Sequence, residues 1–94
     1  MKYYLLAYSR DLGSRDQVKA CLDSLPEVIS WRSELPYSFF IQSEADAMTI
    51  GQAIQQCVGP KSTPRFLITE IPASTERSWG WLSSWKFLNR QTSE

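Results

Sequence analysis

The chain has 94 residues, which fits one small domain with a single hydrophobic core and leaves no room for a second domain. Ten lysine and arginine residues balance ten aspartate and glutamate residues, so no net electrostatic field draws the protein toward nucleic acid or an anionic membrane. The sequence contains no histidine, which removes the commonest general base and metal ligand, and we expect neither a cofactor nor a metal.

The cysteines and the hydropathy pattern predict the cellular setting. Cys21 and Cys57 do not form a CxxC motif, which favours a reducing, cytoplasmic location. Both fall on apolar stripes of predicted helices, so we expect inert thiols in the core rather than redox sensors. The apolar runs are far shorter than the roughly 20 residues that span a bilayer, so no membrane contact is expected.

A strand that is apolar on both faces opens the chain, over Lys2 to Arg10 (KYYLLAYSR). Such a strand belongs in the middle of a sheet. Ser14 and Gln17 fit a capping box, which predicts a first helix from about Arg15. Its apolar residues share one face, and Pro26 ends it.

The middle of the chain predicts a β-hairpin followed by a helix. Residues 28–32 alternate in polarity, and residues 37–42 (YSFFIQ) form a second apolar strand after a turn. Ser43 to Asp46 repeats the capping signature and would place acidic residues in the first turn of a second helix. Gly59-Pro60 stops that helix, and Arg65 to Ile71 forms a last strand.

The predicted order is therefore β-α-β-β-α-β. This order predicts an α+β, ferredoxin-like sandwich, in which a four-stranded antiparallel sheet carries both helices on one face. Right-handed crossovers place the first and third strands in the centre. Residues 1–72 form this domain. Residues 73–94 form a Trp-rich extension with a short amphipathic helix, which packs on the same domain or across a dimer.

The second face of the predicted sheet needs a cover, because two helices cover only one face. The uncovered set is either Tyr4, Leu6 and Tyr8 or the alternate residues of the same strand, together with Phe40 and Leu67. A patch of several hundred Å² at about 25 cal/mol per Å² strongly favours association. We therefore predict a homodimer whose extensions brace the two-fold interface.

Charged residues at strand ends are the first candidates for a functional site. Asp11 follows the first strand and is the one candidate catalytic residue, although an ordinary turn also explains an aspartate there. Arg10, Arg32 and Arg65 are candidates for a rim that contacts phosphate, and solvated surface is the alternative.

The tryptophans of the extension allow two interpretations. Trp79, Trp81 and Trp85 lie near basic residues, as aromatic side chains do in surfaces that stack on bases. Their helical spacing beside Leu82 and Leu88 favours a core or an interface instead. We favour the interface and keep nucleic acid as an alternative partner.

Three features together resemble a known group of proteins: the YYLLAYS strand (residues 3–9), the β-α-β-β-α-β order and the GWLSSWKFL segment (residues 80–88). They are similar to the small ferredoxin-fold CRISPR-associated protein two family, and more closely to its uncharacterised SinR-like relatives. The resemblance implies a homodimer. In that family an aspartate follows the tyrosine that ends the first strand, and two such residues across the dimer axis are proposed to hold a divalent metal for phosphodiester cleavage. Ser9 stands at that position here, and a hydroxyl does not replace an anionic ligand for Mg²⁺.

The sequence therefore favours a non-catalytic, homodimeric ferredoxin-like protein that binds a protein partner as an adaptor or regulatory module. The alternatives are a weak metal-dependent nuclease that uses Asp11, and a nucleic-acid-binding protein without catalysis.

Overall fold

The computed structural model describes residues 1–58 and 64–72 of the chain. Within them the fold is α+β, with a four-stranded antiparallel sheet and two helices in the predicted order. The strands are β1 (Lys2–Tyr8), β2 (Ser30–Arg32), β3 (Ser38–Ser43) and β4 (Phe66–Glu70), and the helices are α1 (Arg15–Ser24) and α2 (Ala47–Val58). The predicted C-terminal helix and its tryptophans Trp79, Trp81 and Trp85 lie outside the described residues.

The strand order is β2-β3-β1-β4, so β1 and β3 are the inner strands. In the middle of β1, Leu6 lies opposite Phe39 of β3 and Ile68 of β4. Strands β2 and β3 form the predicted hairpin, with Trp31 opposite Ile41. Because side chains alternate along each strand, this register decides which apolar residues share a face.

Both helices pack on the same face of the sheet. Alternate residues of β1 and β3 meet the apolar stripes of α1 and α2 there and form the main core. Complete burial of one large apolar side chain stabilises the fold by about 1.5–3 kcal/mol. The buried core residues are Tyr4, Leu6, Tyr8, Leu12, Val18, Cys21, Leu22, Phe39, Ile41, Ile50 and Ile54.

Helix α1 begins with the capping box that the sequence predicts. The Gln17 amide donates to Ser14 Oγ at 3.2 Å, and the Ser14 amide donates to Gln17 Oε1 at 2.8 Å. Gly13 precedes the box with a φ of 140°, and a Cβ there would lie 3.0 Å from Gln17 Oε1. The sharp entry into α1 therefore requires glycine at this position.

The start of helix α2 differs from the prediction. Asp46 caps it, because Asp46 Oδ1 accepts from the Thr49 amide at 2.8 Å. The Ser43 hydroxyl instead donates to the Glu27 carbonyl at 2.5 Å and accepts from the Ala45 amide at 2.9 Å. The first turn of α2 contains no acidic residue, since the helix begins one residue after the last carboxylate of this stretch.

Three strands are also shorter than predicted, and β4 covers Phe66–Glu70 rather than Arg65 to Ile71. Strand β1 ends at Tyr8 because residues 10–12 form a 3₁₀ turn. Strand β2 covers only three of the five predicted residues. Within residues 1–58 and 64–72, neither helix has the length and apolarity that crossing a bilayer requires.

Candidate functional site

The corner at the end of β1 is the first candidate site, and it is built by local structure. Residues Arg10–Leu12 form one 3₁₀ turn between β1 and α1. Leu12 is 3% exposed and anchors that turn in the core. The Ser9 amide donates to the Arg65 carbonyl at 3.1 Å, which places the start of β4 beside the turn. Asp11 therefore faces residues that are more than fifty positions away in the sequence.

Both carboxylate oxygens of Asp11 are engaged. Oδ1 accepts from the Ser9 hydroxyl and from the Arg65 amide, the latter at 3.2 Å. Oδ2 forms an ion pair with Arg65 Nε at 3.1 Å. These donors, the Ser9 hydroxyl first, lower the pKa of Asp11 from 3.8 to about 2. Asp11 is ionised at neutral pH, and it ties the end of β1 to the start of β4.

The corner offers little for metal chemistry among the described residues. No group of three or more carboxylate, cysteine or histidine side chains is placed there to hold a metal ion, in residues 1–58 or 64–72. The Ser9 hydroxyl donates a hydrogen bond to Asp11 Oδ1. The arrangement therefore orients a carboxylate toward an arginine rather than toward an open coordination position.

The structure brings together some of the residues that the sequence singled out and separates others. Arg10 and Arg65 lie with Asp11 at the same end of the sheet. Arg32 lies on β2 at the opposite edge, level with Phe40 of β3. Strands β3 and β1 therefore lie between Arg32 and the β4 edge where Arg65 lies. The predicted binding residues Trp79, Trp81 and Trp85 lie outside the described residues.

Tyr37 also belongs to this corner, and its position there does not follow from the sequence pattern. Tyr37 precedes β3 with a φ of 54°, which is rare for a bulky residue, and its carbonyl accepts from the Tyr8 amide at 3.0 Å. Its hydroxyl accepts from Arg10 Nε at 2.9 Å, and its ring centroid lies 5.9 Å from the Arg10 guanidinium carbon. Pro36 before it signals a turn, but only the pairing of β1 with β3 places Tyr37 beside Arg10.

The second face of the sheet, opposite the two helices, is the other candidate site. It carries the side chains Tyr3, Leu5, Ala7, Phe40 and Leu67, because the alternate residues of β1 and β3 belong to the main core. Tyr3 and Phe40 form a small buried cluster against which Leu5 and Ile71 pack. Leu67 on the outer strand β4 is 62% exposed. The second face thus carries an apolar set of residues, with the polar residues Gln42 of β3 and Thr69 of β4 on the same face.

The two cysteines occupy different environments, so the prediction that both are core residues is wrong for one of them. Cys21 is buried, whereas Cys57 is exposed. An open cleft of about 370 Å³ between α1 and α2 is lined by both residues and leaves Cys57 at the surface. Burial, followed by contact with the Cys57 thiol, raises the pKa of Cys21 to about 12, so Cys21 is an inert thiol.

Comparison with known proteins found no matching family model, no matching curated protein and no matching solved structure.

Proposed function

We propose that this chain is a non-catalytic, homodimeric interaction module with a ferredoxin-like fold, which serves as an adaptor or regulatory subunit. The observation that carries this proposal is the apolar second face of the sheet. Helices α1 and α2 both lie on the other face, so neither of them covers the second face. The β-α-β-β-α-β order and the strand order β2-β3-β1-β4 support the finer assignment of the fold.

The exposure of individual side chains supports a second copy of the chain as the occupant. Tyr3 and Phe40 at the centre of the face are 9% and 5% exposed, whereas Leu67 at the margin is 62% exposed. A leucine presented on the flat surface of an outer strand costs free energy in water, at about 25 cal/mol per Å² of apolar area. A two-fold axis near β4 would cover Leu67 with the same residue set of the partner.

The Trp-rich extension is part of the same proposal. The described chain leaves the sheet at Ile71, whose amide donates to the Tyr3 carbonyl at 2.7 Å and whose side chain packs on the Tyr3 and Phe40 cluster. Residues 73–94 follow directly and carry three of the four tryptophans of the protein. We propose that the apolar residues of this extension brace the dimer.

The oligomeric state tests the proposal. Size-exclusion chromatography with light scattering at micromolar concentration should give twice the 10.8 kDa mass of the chain. Leu67→Glu puts a charge on the second face and should shift the protein to the monomer. Met48→Glu is the matched control, because Met48 is 68% exposed on α2, on the other side of the sheet. This variant should remain dimeric.

Two results would contradict the proposal. One is a wild-type mass of a single chain at micromolar concentration. The other is a dimer that survives Leu67→Glu as well as it survives Met48→Glu, since the interface would then lie elsewhere. Circular dichroism of both variants separates loss of association from loss of folding.

The environment of Asp11 supports the non-catalytic part of the proposal, since both of its oxygens are engaged by Ser9 and Arg65. A Mn²⁺ titration followed through the intrinsic fluorescence should leave the signal unchanged at millimolar metal. A saturable response that Asp11→Asn removes would favour the nuclease alternative instead. Asp16→Asn is a matched control, because Asp16 is an exposed carboxylate in the first turn of α1.

A further inference from the structure

A pocket beside the β1 corner has the features of a ligand site. It has a volume of about 550 Å³ and lies between the end of β1, the start of α1 and the turn before β3. This volume is within the range of roughly 300–1,000 Å³ that small-molecule sites occupy. Its lining residues are Tyr8, Arg10, Gly13, Ser14, Arg15, Pro36 and Tyr37. The lining thus contains two guanidinium groups and two phenol rings but no carboxylate.

Neither of these arginines forms an ion pair within the described residues, in contrast to Arg65 at the same end of the sheet. Arg10 donates through Nε to the Tyr37 hydroxyl, and Arg15 donates through Nε to Ser33 Oγ at 3.2 Å. Each guanidinium is therefore held in position by its Nε, while its terminal nitrogens have no hydrogen-bond partner in residues 1–58 and 64–72. Two guanidinium groups held in this way can bind an anion through charge-assisted hydrogen bonds.

Tyr8 lines the same pocket, and its hydroxyl differs from those of the other tyrosines of β1. Strand β1 has three tyrosines, and two of their hydroxyls are satisfied: Tyr4 Oη donates to the Ala45 carbonyl at 2.7 Å, and Tyr3 Oη accepts from Gln42 Nε2 at 3.0 Å. Tyr8 is only 7% exposed, and its hydroxyl takes no hydrogen-bond partner among the described residues. A hydroxyl can both donate and accept a hydrogen bond, so one that has no protein partner and opens toward a pocket can bind a ligand there.

The Tyr8 hydroxyl is accessible from the pocket. In the described part of the chain, Glu27 Oε1 is the fully buried side-chain oxygen or nitrogen that lacks a hydrogen-bond partner. Tyr8 Oη also lacks a partner there but does not belong to this fully buried class. Tyr8 Oη therefore retains accessible surface, and the pocket that Tyr8 lines is where this surface lies. Burial raises the pKa of Tyr8, while the nearby Arg15 acts in the opposite direction. At neutral pH Tyr8 is an O–H donor close to a cation.

We infer that this pocket binds a small phosphate monoester that carries a flat ring, such as a mononucleotide. A phosphate monoester has a charge of about −1.5 to −2 at pH 7, which matches the two unpaired guanidinium groups. The Tyr8 hydroxyl and the two guanidinium groups bind the phosphate oxygens. The Tyr37 side chain and Pro36 offer an apolar wall for the flat ring of the ligand. Two amides at the start of α1 are already used in the capping box, so side chains rather than the helix end supply the binding. This inference does not depend on the proposed dimer.

Isothermal titration calorimetry of the full chain with adenosine 5′-monophosphate tests the inference. Saturable binding is expected, with inorganic phosphate and adenosine each at least tenfold weaker because each lacks one half of the recognised group. Arg10→Gln and Arg15→Gln should each weaken binding by about ten- to hundredfold, as expected for a hydrogen bond to a charged group. Lys19→Gln removes the same charge from an exposed position of α1 outside the pocket lining, and it should bind as the wild type does.

Tyr8→Phe is the sharpest variant, because it removes only a hydroxyl that has no described partner. It should leave the melting temperature unchanged and weaken binding by about tenfold or more. Tyr3→Phe removes a hydroxyl from the opposite face of the same strand and should leave binding unchanged. The inference is overturned by the absence of saturable binding at millimolar nucleotide. It is equally overturned if Tyr8→Phe and Arg10→Gln bind as tightly as Tyr3→Phe and Lys19→Gln.

Discussion

The two faces of the sheet are built from alternate residues of the same strands, yet they have different environments. On the helix-covered face, Leu6 and Ile41 are 0% exposed. On the second face, the cluster of Tyr3 and Phe40 is small, and Leu67 at its margin is mostly exposed. The strands therefore supply two apolar surfaces, of which the two described helices cover one. In our proposal the first face stabilises the chain and the second face drives association.

Substitution of two adjacent phenylalanines of β3 tests most directly whether the two faces contribute differently to stability. Phe39 is 1% exposed in the main core, and Phe40 belongs to the small cluster of the second face. Phe39→Ala should lower the free energy of unfolding by about 3–5 kcal/mol, because it opens a cavity in close-packed surroundings. Phe40→Ala should cost less, since fewer described residues pack around it. Urea unfolding of both variants measures the difference, and equal losses would show that the two faces contribute equally to stability.

Protein concentration is the second way to separate the faces. If the second face is closed by another copy of the chain, each tenfold dilution should remove about 1.4 kcal/mol from the stability of the dimer. The thermal midpoint of the wild type should therefore fall on dilution, whereas that of Leu67→Glu should not. Scanning calorimetry over a hundredfold range of concentration checks this. A midpoint that is independent of concentration in both proteins would assign the second face to the single chain.

The capping box of α1 tests the helix-covered face alone. Ser14→Ala removes the acceptor of the Gln17 amide and should lower the free energy of unfolding by about 1 kcal/mol. The oligomeric mass should not change, because α1 lies away from the second face. Ser24→Ala is a suitable control, because its hydroxyl lies at the other end of α1, where it donates to the Cys21 carbonyl at 2.7 Å and contacts the Cys57 thiol of α2 at 3.9 Å. A change in the oligomeric mass of the Ser14→Ala variant would show that the stability of α1 and association through the second face are coupled.

The corner between β1 and β4 should give a smaller, pH-dependent effect. The folded protein lowers the pKa of Asp11 from 3.8 to about 2, so the ionised carboxylate favours the folded state above pH 3.8. This contribution is lost as the pH falls toward 2. Asp11→Asn should be less stable than the wild type at neutral pH, and the difference should shrink in acid. Urea midpoints measured across this range test the sign, and a difference that grows in acid would contradict it.

The cysteines give the smallest expected effect, which concerns reactivity rather than stability. Cys57 is exposed, whereas Cys21 is buried with a pKa of about 12. A thiol reagent such as dithionitrobenzoate should modify one cysteine of the native protein quickly, and the second only on unfolding. Cys57→Ser should abolish the fast reaction, and Cys21→Ser should leave it unchanged. Fast modification of both thiols would show that the layer of α1 and α2 opens readily.

Much of the fold was predictable because its signals are local. The capping box of Ser14 and Gln17 formed as expected, and the boundaries of α2 follow its apolar periodicity up to Val58. The errors fall where two local signals compete. Ser43 and Asp46 both have the side chain of a helix cap, and only the contact of Ser43 with the Glu27 carbonyl decided between them.

The candidate site was less predictable, because its contacts join distant parts of the chain. Asp11 was identified from its position after a strand, but its partner Arg65 lies 54 residues away. Tyr37 comes to lie beside Arg10 only because β1 pairs with β3. The exposure of Cys57 likewise depends on the cleft between the two helices rather than on the apolar pattern of α2.

Within residues 1–58 and 64–72, the sequence by itself determined the type and order of the four strands and two α-helices, because hydrophobic periodicity and capping act within one turn or one strand. It also showed that β1 is apolar on both faces. Only the tertiary structure decided that Tyr4, Leu6 and Tyr8 meet the helices while Tyr3 and Leu5 face the other way. A shift of one residue in strand register exchanges the two faces, and long-range packing alone fixes that register.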